Sequence, residues 1–217
     1  MNLSTGEYEM RTMAMGAVVA LAVAVAACDG STTAPSGGEA RMRAEVSGTD
    51  AGGAMERSSG TASDSSVRES TGQAQGDVQV TARVYVWSSE SGWVELTNGP
   101  QQATVDAAGS GSAQLLGSAQ VAAGSYTRAR VEFDRVQARL SGGLQVSTGL
   151  LDGSVAVDLG GDGRVVVEKQ IAVNASAEAT TTLDVVLNTS AWLSQADAQT
   201  RTVAESSFAD AVTVSAR

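Results

Sequence analysis

The chain has 217 residues, of which 24 are acidic and 14 are basic, and it contains one cysteine and no histidine. Its formal charge of −10 disfavours nucleic acid as a partner, because nucleic-acid phosphates repel an acidic chain. The lack of histidine excludes catalytic sites of the Ser-His-Asp and Cys-His kinds. Because the chain has no histidine and a single cysteine, zinc and copper sites built from their usual ligands are also excluded. No glycine-rich phosphate-binding motif lies between a strand and a helix, so no cofactor is predicted.

The cysteine, Cys28, directly follows an apolar run, 13–27, that ends in small residues. This run is shorter than the ~20 residues of a membrane-spanning helix, and it stops at Asp29 and Gly30. The layout is typical of a signal peptide, and the residues before Cys28 resemble the lipobox of bacterial lipoproteins, whose cysteine carries lipid. A buried free thiol is the alternative. We expect residues 1–27 to be cleaved and Cys28 to hold the protein outside the cytoplasm.

Two details concern the start of the chain and the membrane that receives it. Glu7 and Glu9 lie where a signal peptide is normally basic, and initiation at Met10 would remove both acids. Asp29 directly after Cys28 resembles a signal that retains lipoproteins at the inner membrane in some bacteria, so inner and outer membranes both stay open. Cleavage would leave 13 basic and 22 acidic residues, a net charge of −9.

The remaining chain is long enough for one domain and a tether. Residues 28–39 are rich in glycine, serine and threonine and predict a flexible tether. Residues 40–47 alternate between apolar and polar side chains, which predicts a strand. Residues 48–76 again contain little to bury and predict a long mobile loop. We therefore expect one domain over 40–217, and we expect it to be monomeric.

Alternation is strongest over 77–87, where every second residue is apolar and the others face outward. The turn 88–92 and the apolar residues after it predict a hairpin. Further strands are predicted over residues 101–106, 112–116, 125–135, 136–140, 144–148, 154–159, 164–173, 180–187 and 208–216. Many short strands and almost no helix predict an all-β fold, an antiparallel Greek-key β-sandwich.

Three aromatic residues of the predicted hairpin share its outer face. Tyr85 and Trp87 lie on one strand and Trp93 begins the return strand, so the rings are expected to lie side by side. Exposed aromatic rings can form a platform for sugars or other apolar ligands. The alternative is a cross-strand aromatic pair that only stabilises the hairpin.

Tyr126 follows Gly124 by two residues at the start of an alternating strand. This spacing is typical of a tyrosine corner, in which the phenol hydroxyl bonds to a backbone carbonyl a few residues upstream. The sequence therefore predicts a structural rather than a catalytic role for Tyr126.

Residues 115–130 resemble the central motif of the bacterial family called domain of unknown function 4382. The segments 80–86, 93–96 and 183–187 fall in the order that this family shows, and the resemblance covers about 40–193. It implies a β-sandwich lipoprotein. Because the family has no assigned activity, the resemblance implies no site residues.

Two groups of acidic residues are candidates for a chemical role. Glu132 and Asp134 could serve a carboxylate-dependent hydrolase, but acids on an exposed strand face are usually only solvated. Asp158 and Asp162, with the glycines between them, could offer oxygen ligands to calcium. The same residues are what a hairpin turn requires, and the spacing lacks the further acids of a calcium-binding loop.

One short helical segment is predicted near the C-terminus. Thr189 or Ser190 is expected to cap a turn that runs to about residue 198. Trp192 within it is expected to fill the space beneath the last crossover.

Taken together, the sequence predicts a non-catalytic binding or structural module of the bacterial cell envelope, anchored to a membrane by lipid on Cys28. Its partner would be an envelope protein or a glycan. The alternatives are a carbohydrate-binding or adhesion module that uses Tyr85, Trp87 and Trp93, and a hydrolase that uses Glu132 and Asp134.

Overall fold

A computed structural model describes residues 38–50 and 74–217 of the chain. The predicted signal peptide, Cys28 and nearly all of the predicted tether lie outside the described residues, as do residues 51–73 of the predicted loop. At both ends of that loop the strands are longer than predicted, since the first continues to Thr49 and the second begins at Gly76.

Within the described residues the chain forms strands and two short helices. In order they are β1 (Glu39–Thr49), β2 (Gly76–Ser88), β3 (Gly92–Glu95), β4 (Gln101–Asp106), β5 (Gln114–Ala122), β6 (Gly124–Val146), β7 (Gly149–Val157), β8 (Val165–Ala175), β9 (Thr180–Asn188), α1 (Thr189–Leu193), β10 (Thr202–Val203), α2 (Glu205–Asp210) and β11 (Val212–Ala216). Strand accounts for 66% and helix for 7% of the structure, which confirms the all-β prediction.

β1 is an inner strand of the smaller sheet, whose strand order is β11-β9-β1-β5. It pairs antiparallel with β5 and parallel with β9. The alternating residues Ala40, Met42, Ala44 and Val46 are buried, as their period of two predicts. The first strand of the domain is therefore hydrogen-bonded along both of its edges.

β6 has 23 residues and forms the axis of the larger sheet. β2 pairs with one edge of β6, and β3 and β4 pair with the opposite edge of β2. The prediction of three separate strands over 125–135, 136–140 and 144–148 is wrong. The chain instead runs on as one strand, and register shifts opposite Thr81 and after Leu140 absorb the breaks in alternation.

β7 and β8 both pair antiparallel with the other edge of β6, β7 with its C-terminal half and β8 with its N-terminal half. The two strands therefore lie in line along β6. The hairpin turn predicted over 158–164 is wrong, because a hairpin needs its two strands to pair with each other.

The sheets are mixed rather than wholly antiparallel, which corrects the sequence prediction. β1 pairs parallel with β9, and β10 pairs parallel with β7. Parallel neighbours need a long connection. β1 and β9 are neighbours in the sheet but are separated in sequence by most of the domain. Their pairing therefore could not be predicted from strands that follow one another in the chain.

The inner faces of the two sheets form the core of a sandwich, in which β1 contacts β4 and β8, and β11 contacts β8. At the C-terminal end, Phe208 of α2 packs edge to face against Trp192 of α1 and Phe133 of β6, with ring centroids 5.7 Å and 5.0 Å apart. Trp192 is fully buried, consistent with the predicted plug.

The C-terminal segment differs from the prediction of one helical turn running to about residue 198, because α1 ends at Leu193 and a second helix, α2, follows. Asn188 rather than Thr189 or Ser190 caps α1, since its Oδ1 accepts a hydrogen bond from Ala191 N at 3.2 Å. Thr189 Oγ1 instead donates to the carbonyl oxygens of Thr49, at 3.1 Å, and Ala107. The strand predicted over 208–216 is wrong at its start, because Phe208 belongs to α2 and the strand begins at Val212.

Candidate functional site

Two tryptophans and two arginines stack on the outer face of the larger sheet, and we call Trp87, Trp93, Arg128 and Arg130 the arginine–tryptophan ladder. Trp87 pairs directly with Trp93 across β2 and β3, and with Arg128 across β2 and β6. The Arg128 guanidinium carbon lies 4.2 Å from the centre of the Trp87 ring and 5.2 Å from that of Trp93. The Arg130 carbon lies 4.3 Å from the Trp93 ring. All three distances are within the ~6 Å of a cation–π contact.

Tyr85 lies on the same outer face, two residues from Trp87, where it pairs with Glu95 of β3 and Arg130 of β6. Burial raises the pKa of its hydroxyl above the ordinary 10.0, and the negative charge of Glu132 raises it further. Tyr85, Trp87 and Trp93 are thus neighbours on one face, but each indole already has a guanidinium stacked on it.

The arginines of the ladder were not predicted from the sequence, because strict alternation is broken beside them. Counting in twos from the buried Tyr126 would place Arg128 and Arg130 on the core side. A register shift between Tyr126 and Arg128 reverses the faces, so that Ala129 is buried and the arginines point outward. The buried apolar residues at 129, 131 and 133 were the signal that could have placed them.

Arginine side chains also surround Glu132 and Asp134, the two candidate hydrolase residues. Glu132 Oε2 accepts a hydrogen bond from Arg164 Nη1 at 2.9 Å and lies 3.8 Å from Arg83 Nη1. Asp134 Oδ2 lies 3.4 Å from Arg83 Nη2. Because both acids are compensated by the same two arginines, this arrangement is an ion-pair network on a strand face.

The four arginines of this region differ in their partners. Arg83 and Arg164 pair with Glu132 and Asp134, and Arg130 Nε donates to Glu168 Oε1 at 2.8 Å. Among the described residues, Arg128 alone of the four has no carboxylate within ion-pair distance. The rings of Trp87 and Trp93 stack on its guanidinium, and the N–H groups at the guanidinium edge have no acidic partner among the described residues.

Tyr126 is one of the residues that line a cleft of about 260 Å³ between the β2–β3 turn and the β5–β6 turn. Its hydroxyl donates a hydrogen bond to the carbonyl oxygen of Ala122 at 2.9 Å, the geometry of a tyrosine corner. Burial, followed by the charge of Glu90, raises the pKa of this hydroxyl above the ordinary 10.0. The cleft is polar, and it is lined by Ser88, Ser89, Glu90, Ser91, Ala122, Ala123, Gly124, Ser125 and Tyr126.

Asp158 stabilises the local backbone of the segment between β7 and β8. Its Oδ1 accepts a hydrogen bond from Gly160 N at 3.0 Å, and Gly160 and Gly163 have φ angles of 64° and 65° that favour glycine. Asp162 is exposed and makes no hydrogen bond or ion pair within the described residues. Across residues 38–50 and 74–217, no group of three or more histidine, cysteine, aspartate or glutamate residues could hold a metal ion.

None of the helices in the described part of the chain is both long and apolar enough to cross a membrane. No family model, no curated protein and no solved structure matches this chain.

Proposed function

We propose that this protein is a membrane-anchored lipoprotein of the bacterial cell envelope, in which lipid on Cys28 tethers a non-catalytic β-sandwich outside the cytoplasm. The observation that carries the proposal is the apolar run and small residues that lead into Cys28, the chain's one cysteine. The resemblance to the family of domain of unknown function 4382 stays a prediction and agrees with this proposal.

The position of β1 supports a tethered domain. Ten residues separate Cys28 from Glu39, the first residue of β1. β1 is then paired on both edges, so the chain passes from the proposed anchor directly into an inner strand. A domain attached in this way would stay folded, and the length of its short tether would limit its distance from the membrane.

A binding role is favoured over hydrolysis by the state of Glu132 and Asp134. A glycosidase needs one carboxyl group to hold a proton and a second carboxylate to act on the substrate. Here both side chains are compensated by Arg83 and Arg164. Their shared arginines give them a structural role in joining β2, β6 and the start of β8.

Labelling of the Cys28→Ser variant tests the proposal. The wild-type protein should incorporate palmitate and partition with membranes, because the thiol of Cys28 carries the lipid. Cys28→Ser should do neither. Its melting temperature should equal that of the wild type, which would show that the domain still folds. Palmitate labelling that persists in Cys28→Ser would contradict the proposal.

Carbohydrate binding is a second candidate, favoured by the direct pairing of Trp87 with Trp93. A sugar could stack on these rings only beside or in place of Arg128 and Arg130. If glycans are the ligand, a glycan array should give binding that disappears in a Trp87→Ala, Trp93→Ala double variant. Binding retained by that variant, at an unchanged melting temperature, would exclude the ladder as a sugar platform.

A further inference from the structure

The arginine–tryptophan ladder lies at the end of the sandwich where the tether enters. Gly38, the first described residue, accepts a hydrogen bond from Ala123 N at 2.9 Å through its carbonyl oxygen. β6 starts at the next residue, Gly124, and Arg128 follows four residues later. At about 3.3 Å per residue, the ladder begins only about 13 Å along β6 from the tether's attachment.

The chain between the proposed anchor and the domain is short. Ten residues lie between Cys28 and Glu39, which span at most about 35 Å when fully extended. With lipid on Cys28, the ladder would therefore stay within reach of the membrane surface at all times. This makes lipid headgroups the partner that the proposed anchor itself supplies at high local concentration.

The outer face of the larger sheet carries arginines together with acidic residues that pair with several of them. β6 directs four arginines outward, which are Arg128, Arg130, Arg135 and Arg139. Guanidinium groups bind phosphate through paired N–H groups, and tryptophan is enriched at the level of lipid headgroups. Arg128, which stacks on both indoles and has no carboxylate partner among the described residues, combines these two chemistries at one place.

We infer that the arginine–tryptophan ladder docks against the phosphate groups of anionic lipids in the membrane that holds the Cys28 anchor. This inference rests on the proposed function. Its key contact joins the guanidinium edge of Arg128 to a lipid phosphate, with Trp87 and Trp93 at headgroup depth. Docking would fix the orientation of the domain, whereas the lipid on Cys28 provides the attachment.

Acidic residues at the same end limit the strength of this contact. Glu90 lies in the β2–β3 turn, and Glu39 and Glu178 lie where the tether enters. These charges repel an anionic surface, whereas the acidic side chains of the sheet face are offset by ion pairs with neighbouring arginines. The membrane must therefore meet the sheet face at Arg128 rather than the tip of the sandwich. Docking should therefore be weak and should decrease as salt screens the arginine–phosphate attraction.

Tryptophan fluorescence of the lipidated mature protein in vesicles tests the inference. The vesicles contain phosphatidylcholine alone, or phosphatidylcholine with phosphatidylglycerol, and carry a nitroxide quencher on the headgroup. Quenching of Trp87 and Trp93 reports their contact with the headgroups. A Trp87→Phe, Trp93→Phe variant gives the baseline, because its remaining tryptophan, Trp192, is fully buried.

The test variant is Arg128→Gln. The matched control is Arg41→Gln, which removes an exposed arginine from the outer face of the smaller sheet near the same end.

The inference predicts strong quenching in the anionic vesicles, loss of that quenching in Arg128→Gln and in high salt, and no loss in Arg41→Gln. Equal quenching in both kinds of vesicle, or equal quenching in Arg128→Gln and the wild type, would overturn it. Crosslinking of the ladder to an envelope protein without any lipid-dependent quenching would also overturn it. If the proposed function fails instead, the protein will not float with vesicles of either kind in any variant.

Discussion

Tyr126 contributes one hydroxyl group whose effect on stability can be isolated. It donates to the carbonyl oxygen of Ala122 at 2.9 Å in a buried setting. Tyr126→Phe keeps the ring and removes this bond, so it should lower the free energy of unfolding by about 1 kcal/mol or more. Urea denaturation measures the change. Tyr85→Phe is the matched control, because the Tyr85 hydroxyl makes no hydrogen bond within the described residues and its loss should have little effect.

An unfolding free energy that is the same for Tyr126→Phe and the wild type would exclude a stabilising tyrosine corner. An equal loss in Tyr85→Phe would show a general effect of removing phenol groups.

At some positions the sequence pattern alone was enough to assign a side chain to the core or to the surface. The alternation over 77–87 correctly assigns Val78, Val80, Ala82, Val84 and Val86 to the core, because a regular strand has a period of two. The same rule counted from Tyr126 misplaces Arg128 and Arg130, since the register shift after Tyr126 reverses the faces of β6. The aromatic half of the candidate site was therefore predicted from sequence, and its cationic half was not.

At the scale of elements, the turn after β4 depends on an ionised side chain. Asp106 accepts hydrogen bonds from the Ser110 hydroxyl and from Ala108 N, at 2.8 Å for the latter. The Ser110 bond first, and the Ala108 bond second, lower the pKa of Asp106 below its ordinary 3.8. The folded state thus favours the carboxylate, and the resulting stabilisation is present above pH 3.8 and lost as the pH falls through 3.8 towards the lower folded value.

Asp106→Asn should therefore melt at a lower temperature than the wild type at neutral pH, and the difference should shrink below pH 3.8. Thermal unfolding across a pH series measures it. Asp162→Asn, which removes an exposed acid without a hydrogen bond in the described residues, is the control for the loss of one charge. A melting difference for Asp106→Asn that stays constant through the acid range would contradict the assignment.

Elements were predicted well where local pattern decides them and poorly where distant contacts do. β2, β4 and β9 were located within a residue or two because their alternation is regular. The pairing of β7 and β8 with opposite halves of β6 depends on the length of β6, which local pattern does not show. α2 has only six residues and forms where Phe208 packs on Trp192 and Phe133, so tertiary contact rather than helical periodicity determines it.

At the scale of the whole molecule, two sheets enclose one core, and the chain enters that core through its first strand. β1 contributes buried residues to the sandwich and hydrogen bonds to both β5 and β9. The proposed anchor at Cys28 would therefore act on a strand that is fixed on both sides. The two-sheet fold followed from the number and spacing of predicted strands, whereas the parallel β1–β9 pairing joins distant parts of the chain and had no local signal.

The mass and N-terminal residue of the mature protein, isolated from membranes and analysed by intact-protein mass spectrometry with fragmentation, test the central claim most directly. The account predicts a chain that begins at Cys28 and carries the mass of attached lipid on that residue. A mature chain that begins before Cys28, or that begins there with an unmodified thiol, would contradict it.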